Sequence, residues 1–165
     1  MIINDEEILF AKLRPDAVIP TKRPEDAGYD IYAVLDDKDI FIMPHETVKI
    51  PTGIVSAFSP KYVAILKERS STGSRGLEQR CGVFDSGYRG EWFVPVTNGT
   101  DRRIVITNNP SDYLETMWVA FPATKAIAQA VLVNIPNTTS REVSVEEINS
   151  VESERGTGGF GSTGK

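Results

Sequence analysis

The chain is poor in the residues on which soft-metal and redox chemistry depend. It has one cysteine, Cys81, and one histidine, His45. A single cysteine excludes an internal disulfide and a cysteine-based zinc site. With no histidine near it in sequence and only Arg80 as an adjacent cation, Cys81 is a poor nucleophile. His45, in the turn Pro44–Thr47, reads as a surface residue. No apolar run approaches the length of a membrane span, and the opening MIINDEEIL carries acids where a secretory signal carries bases. A cytoplasmic location is therefore expected. Positive charge is short too: 18 Lys and Arg against 23 Asp and Glu leave a net charge of −5. That balance argues against a general binder of nucleic acid or membrane surface. A polyanion can still be held by local Arg, Lys and backbone N–H groups or through a bridging metal. Also lacking is any long segment with a 3.6-residue apolar period.

What the chain has instead is β pattern. At 165 residues it is expected to form one domain with a sizeable core. Short β-rich runs are read at Ile8–Leu13, Tyr29–Val34, Ile40–Met43, Thr47–Ile50, Ile54–Phe58 and Tyr62–Leu66. Further runs are Trp92–Thr97, Arg103–Thr107, Met117–Phe121, Ala126–Ile135 and Glu142–Val145. Pro, Gly, Asp and Ser punctuate them. Many short strands with turn signals at each end predict an all-β sandwich, jelly roll or small barrel. Asn108–Asp112 reads as a loop inserted before the strand at Met117. From Asn137 the composition turns polar, and Gly156–Lys165 is mostly glycine, serine and threonine, which cannot bury enough to fold alone. The expected organisation is a β domain over 1–137 and a C-terminal arm over 138–165.

Five stretches could carry chemistry. GVFDSGYRGEW, Gly82–Trp92, reads as a hairpin with Asp85 at its tip beside Ser86–Gly87, and Tyr88 facing the same cavity. A carboxylate so placed is either a partly desolvated general base or simply the turn former. RSSTGSRG, Arg69–Gly76, offers a guanidinium, hydroxyls and freed N–H groups; a helical turn starting near Ser70 would suit an anion, and a capped polar loop is the plain alternative. Gln129 interrupts an apolar strand face and needs a partner, either a ligand, a water or backbone. Asp30, in AGYDIYA, is a structural or metal-shell carboxylate. The tail RGTGGFGSTGK mimics two phosphate motifs: Gly156, Gly158 and Gly161 have dinucleotide-loop spacing, and Gly159–Lys165 nearly has that of a P-loop. Both need a strand before and a helix after, which is not expected here. Phe160 is odd in such a tail, and stacking on a planar ligand would explain it. Trp92, Phe93 and Trp118 read as core or interface residues.

Taken in order, AGYDIYA, RSSTGSRG, GVFDSGYRG, AIAQ and RGTGGFGSTG resemble the five motifs of the trimeric dUTP diphosphatase (dUTPase) family, over Ala27–Gly164. The resemblance implies a jelly-roll homotrimer whose active sites are shared between subunits and which converts dUTP to dUMP and pyrophosphate. That reaction keeps uracil out of DNA and supplies dUMP for thymidylate synthesis. It further implies that Asp85 activates the water attacking the α-phosphorus and that Tyr88 packs on the deoxyribose and excludes a 2′-hydroxyl. Arg69, Ser70, Ser71 and Gln129 would hold phosphates, and Asp30 the water shell of a Mg²⁺ carried mainly by the triphosphate. From the arm, Phe160 would stack on uracil, Arg155 would meet the γ-phosphate, and Gly161, Ser162 and Thr163 would contact phosphates. Two departures stand out. The approach Gly76–Gly82, GLEQRCG, is shorter than in many members, and Asn108–Met117 is extra length, a surface or a protein-partner site. dCTP deaminase, a related fold, is disfavoured because Pro95 stands where its catalytic Glu is expected, and proline cannot shuttle a proton.

Overall fold

A computed structural model describes residues 3–158. Its elements are almost all strands: β1 Ile8–Lys12, β2 Gly28–Ile31, β3 Ile40–Ile42, β4 Thr47–Ile50, β5 Ile54–Phe58, β6 Tyr62–Lys67, β7 Leu77–Gln79, β8 Val83–Asp85, β9 Val94–Asn98, β10 Arg103–Thr107, β11 Trp118–Pro122 and β12 Ala128–Asn134. One helical turn, α1 (Ser70–Gly73), follows β6, and a second, α2 (Val145–Asn149), lies beyond β12. The strands make four small sheets, ordered β1-β5, β11-β10-β3, β2-β12-β6-β8 and β4-β9-β7. This is the all-β fold that the strand pattern predicts, in the jelly-roll form that the family resemblance implies. No helix among the described residues is long and apolar enough to cross a membrane.

The core follows from period-two alternation. In β5, Ile54, Ser56 and Phe58 point inward; in β9, Val94, Val96 and Asn98 do. Ile31, Ile42, Ile50, Leu66, Leu77, Trp92, Ile104 and Ile106 complete a shared centre with essentially no exposure. Pro95 sits in β9, the middle strand of its sheet, where a missing N–H should break the ladder. Its carbonyl accepts from Arg80 N (2.8 Å), so its amide side faces the point where β7 has already ended, and no strand donor is lost.

Two expectations need correction. Gly82–Trp92 is not a hairpin: β8 pairs with β6, whereas β9 pairs with β4 and β7 in another sheet. Burial of Trp92 diverts the chain. Its N–H donates to Ile54 O (3.0 Å), and Glu91 Oε1 accepts from the N–H groups of Thr52 (3.1 Å) and Gly53 (2.8 Å). Glu142–Val145 is not a strand either. Ser144 caps α2 by accepting from Glu147 N (3.1 Å), a Ser-x-x-Glu start signal that outweighs the short β-branched run.

The inserted loop has a topological cause. β10 and β11 are adjacent and parallel, with Arg103 opposite Trp118, so the chain must travel back along the sheet between them. Residues 108–117 make that return through a 3₁₀ turn at Pro110–Tyr113. Tyr113 fastens it by donating to Asp39 Oδ2 (2.6 Å), a bond that pushes the phenol up to about 12.

Asn98, fully buried, ties three segments together: its Nδ2 donates to Ile42 O (3.0 Å) and Arg102 O (2.7 Å), and its Oδ1 accepts from Thr100 N and Oγ1. Truncation would leave the buried Ile42 carbonyl and the part-buried Arg102 carbonyl and Thr100 N–H without their partner, a buried unpaired group costing about 1–3 kcal/mol. Asn98→Ala is expected to lower unfolding free energy by about 3 kcal/mol, read as a lower urea midpoint with an unchanged slope.

Candidate active site

The sheet β2-β12-β6-β8 organises the candidate site. Asp30 lies directly opposite Gln129, and Gln129 opposite Lys67, across β2, β12 and β6. Paired residues share a face, and it is the outward face, since Ile31, Ala64, Leu66, Phe84, Ala128 and Ala130 fill the inward one. Arg69, just past the end of β6, turns back over this row. Its Nε meets Asp30 Oδ1 at 3.1 Å and its Nη1 donates to Ala126 O at 3.3 Å. Gln129 finds a backbone partner, donating from Nε2 to Glu68 O (2.8 Å), and its amide oxygen lies beside Gly28. A Cβ at Gly28 would stand 2.7 Å from Gln129 Oε1, so a larger residue there would displace the Gln129 amide.

Asp30, Arg69, Gln129 and Gly28 line a cavity of about 570 Å³ together with Thr21, Lys22, Arg23, Glu25, Asp26 and Ala27. Its size suits a small ligand, and its lining is almost wholly polar. Sequence reasoning found the floor of this cavity and missed its wall, the segment Thr21–Asp26. The available signal was a Lys-Arg and a Glu-Asp pair flanking Pro24, immediately ahead of AGYD. In that wall Arg23 makes a two-pronged ion pair with Asp26 (2.9 and 3.0 Å), whose hydrogen bonds hold the Asp26 carboxyl below the usual carboxylate range.

Ser70 and Ser71 begin α1, as expected, and both are exposed. A four-residue turn has little macrodipole, so it can offer only its unpaired first N–H groups and hydroxyls. Ser71 lines a different hollow from Asp30, one shared with Arg75 and Phe121.

Asp85 ends β8 at a turn closed by Tyr88 N donating to Asp85 O (3.0 Å). It is exposed in the single chain, so the desolvation expected of a hairpin tip is not supplied by this chain alone. Arg89 braces the turn from Nη1 to the carbonyls of Ser86 (2.6 Å), Tyr88 (3.1 Å) and Ser56 (3.3 Å). The Tyr88 ring lies over Phe84 (centroids 6.1 Å apart), Phe84 stacks on Trp92 (4.3 Å), and the Tyr88 hydroxyl donates to Glu91 O (3.1 Å). Gly90 is what lets the ring lie there: a Cβ at that position would come within 2.3 Å of the Tyr88 hydroxyl oxygen.

Asp85 and Asp30 share one face of the sheet but stand at opposite corners. Asp85 is opposite Val63, four residues along β6 from Lys67, and β8 is three strands from β2. Standard strand spacing and rise put the two carboxylates roughly 20 Å apart. Between them the outward face carries Val63, Ile65, Val83, Val131 and Val133, of which Val83 is 54% and Val133 38% exposed.

Arg155 is exposed, donates from Nε to Gly158 O (2.8 Å) and lines none of the Asp30 cavity. Phe160, Gly161, Ser162 and Thr163 lie outside the described residues. Cys81 is half-buried, and burial pushes its thiol up, in keeping with its reading as inert. His45 is exposed and its Nε2 lies 3.1 Å from Asp101. Among the described residues no group of three or more His, Cys, Asp or Glu could hold a metal ion.

A family model for dUTPase matches residues 15–110. A deoxyuridine 5′-triphosphate nucleotidohydrolase of Thermobifida fusca is 34% identical over 167 residues, spanning 99% of this chain and 82% of that protein. Among solved structures, the dUTPase of Staphylococcus bacteriophage 80alpha with dUPNHPP shares the fold, with a TM-score of 0.74 at 23% identity over 97% of this chain and 99% of that one. A dUTPase variant from phage phi11 of S. aureus, described for its coordination of a structural Mg(II) ion, is similar over 86% of this chain and 99% of that one, with a TM-score of 0.67 at 24% identity. By the family match over residues 15–110, more than half of the chain, and a relative 34% identical across nearly all of it, this chain belongs to the dUTPase family.

Proposed function

We infer that the chain hydrolyses dUTP to dUMP and pyrophosphate, and that it does so as a homotrimer with shared sites. The carrying observation is the outward face of β2-β12-β6-β8. It bears a polar, charge-lined cavity at one corner and the Asp85–Tyr88 turn at the other, with an apolar strip between them. A single chain cannot bring the two corners to one nucleotide. Packing copies against one another on that face would cover Val83 and Val133 and set one copy's Asp85 beside another copy's Asp30 cavity. The assembly would also supply the desolvation that Asp85 lacks in isolation.

In this reading the triphosphate lies in the Asp30 cavity, with Arg69 and the Gln129 amide on its phosphates, while Ser70 and Ser71, which do not line that cavity, contribute from the start of α1. Asp85 orients a water in line with the α-phosphorus and accepts its proton. The braced turn holds the Tyr88 ring against the sugar, where a 2′-hydroxyl would not fit. The arm, residues 138–165, closes over the site, with Arg155 toward the terminal phosphate, Phe160 on uracil, and Gly161, Ser162 and Thr163 on phosphates.

The donor set suits Mg²⁺ only as an ion arriving with the nucleotide. Asp30 is one half-buried carboxylate already paired with Arg69, and Mg²⁺ commonly takes one or two carboxylates plus phosphates and waters. Bound that way, it neutralises phosphate charge. Deamination is disfavoured by Pro95, whose ring on β9 offers no proton-transfer group. The crossover 108–117, with Leu114 83% and Met117 55% exposed, favours a second role in protein contact; pulldown by the intact chain but not by one with the loop shortened would support it.

With Mg²⁺ present, pyrophosphate release from dUTP but not from dCTP, dTTP or UTP is expected; ammonia from dCTP would overturn the assignment. Asp85→Asn should keep nucleotide affinity and lose turnover by roughly 10²–10⁴-fold, and normal turnover would remove Asp85 from its role. Shared sites predict complementation: co-refolded Asp85→Asn and Arg69→Ala chains should regain activity that neither has alone, and no recovery would mean that each site is built within one subunit. A chain ending at Glu154 should fold and assemble yet turn over far more slowly. Full activity would rule out the closing arm.

A further inference from the structure

The cavity holding Asp30 has a wall with no role in the reading above. Segment Thr21–Asp26 is anchored to β2 by Asp30 N donating to Thr21 O (3.0 Å) and closed on itself by Asp26 N donating to Arg23 O (3.1 Å). Pro20 and Pro24 restrict its backbone. It presents two consecutive cations to the cavity, Lys22 and Arg23. Lys22 Nζ donates to Asp26 O (2.9 Å) and sits 5.8 Å above the Tyr29 ring, and Arg23 grips Asp26. The Arg23 side chain is 84% exposed, so this ion pair contributes little to folding. The charges around the cavity balance: Lys22, Arg23 and Arg69 against Glu25, Asp26 and Asp30. Arg69 is balanced by Asp30, so the floor alone adds no net positive charge for a triphosphate. A guanidinium that holds a carboxylate by two prongs can hold a phosphate in the same geometry.

We propose that Lys22 and Arg23 bind the two terminal phosphates of the substrate and retain them as the leaving pyrophosphate, Arg23 exchanging Asp26 for phosphate when the nucleotide enters. The inference rests on the reading of this chain as a dUTP pyrophosphohydrolase. In the step concerned, a bond forms between the water oxygen and the α-phosphorus. The bond from that phosphorus to the bridging oxygen breaks, its electron pair goes to pyrophosphate, and the water proton goes to Asp85. Lys22 and Arg23 would stabilise the charge that builds on the departing oxygen.

The test titrates inorganic pyrophosphate with Mg²⁺ into the full chain by calorimetry, which reads binding whether or not the protein turns over dUTP. Lys22→Gln combined with Arg23→Gln is expected to weaken pyrophosphate binding about tenfold or more and to leave dUMP binding unchanged. Asp26→Asn separates a phosphate ligand from a loop latch, because it frees Arg23 and removes a competing charge. It should bind pyrophosphate at least as tightly as the intact chain. Unchanged pyrophosphate affinity in the double variant, or equal weakening by Asp26→Asn, would overturn the proposal. Failure of the intact protein to release pyrophosphate from dUTP would count against the activity reading instead, since the binding comparison stands apart from it.

Discussion

The register of β12 between β2 and β6 is the constraint on which the rest depends. Because Gln129 falls opposite both Asp30 and Lys67, three strands present one polar row on one face, and Arg69 needs only to turn back from the end of β6 to close it. A slip of one residue would send Asp30 and Gln129 into the core and bring Ile31 and Ala130 outward. The small inward residues Ala64, Ala128 and Ala130 let this sheet lie close to the core, which holds the register against such a slip.

A sheet with apolar residues on both faces is unusual on an antiparallel surface, where one side normally meets water. Here the inward face is filled by the chain's own core, while the outward face keeps Val63, Ile65, Val83, Val131 and Val133. The catalytic reading and the assembly reading therefore draw on the same residues. The strip between the Asp30 cavity and the Asp85 turn is the surface that the proposed association would bury.

Around Asp85 the device is different. The turn is held not by a returning strand but by three anchors behind it: Arg89 on carbonyls, Glu91 on the N–H groups of Thr52 and Gly53, and the stack from Tyr88 through Phe84 to Trp92. Rigid support of this kind keeps an exposed carboxylate and ring in place before a ligand arrives, at the expense of requiring glycine at position 90.

The sequence by itself determined the strand content, most strand positions and the five stretches that mark the family, since alternation, turn residues and motif spelling are local properties. Ser144 with Glu147 was also legible as a helix start, although the short β-branched run hid it. Only the tertiary structure decided where the chain leaves one sheet for another. The run Gly82–Trp92 reads as a hairpin because both arms have strand character, but burial of Trp92 against Ile54 sends the second arm elsewhere, and such competition between distant partners leaves no trace in local pattern. For the same reason the sequence could not say that residues 108–117 are the return path of a parallel pair, or that Lys22 and Arg23 stand beside Asp30. Nor could it say that Asp85 and Asp30 share a face while standing at opposite corners of one sheet. Those are facts of register and strand order, and they arise only when segments far apart in sequence are paired.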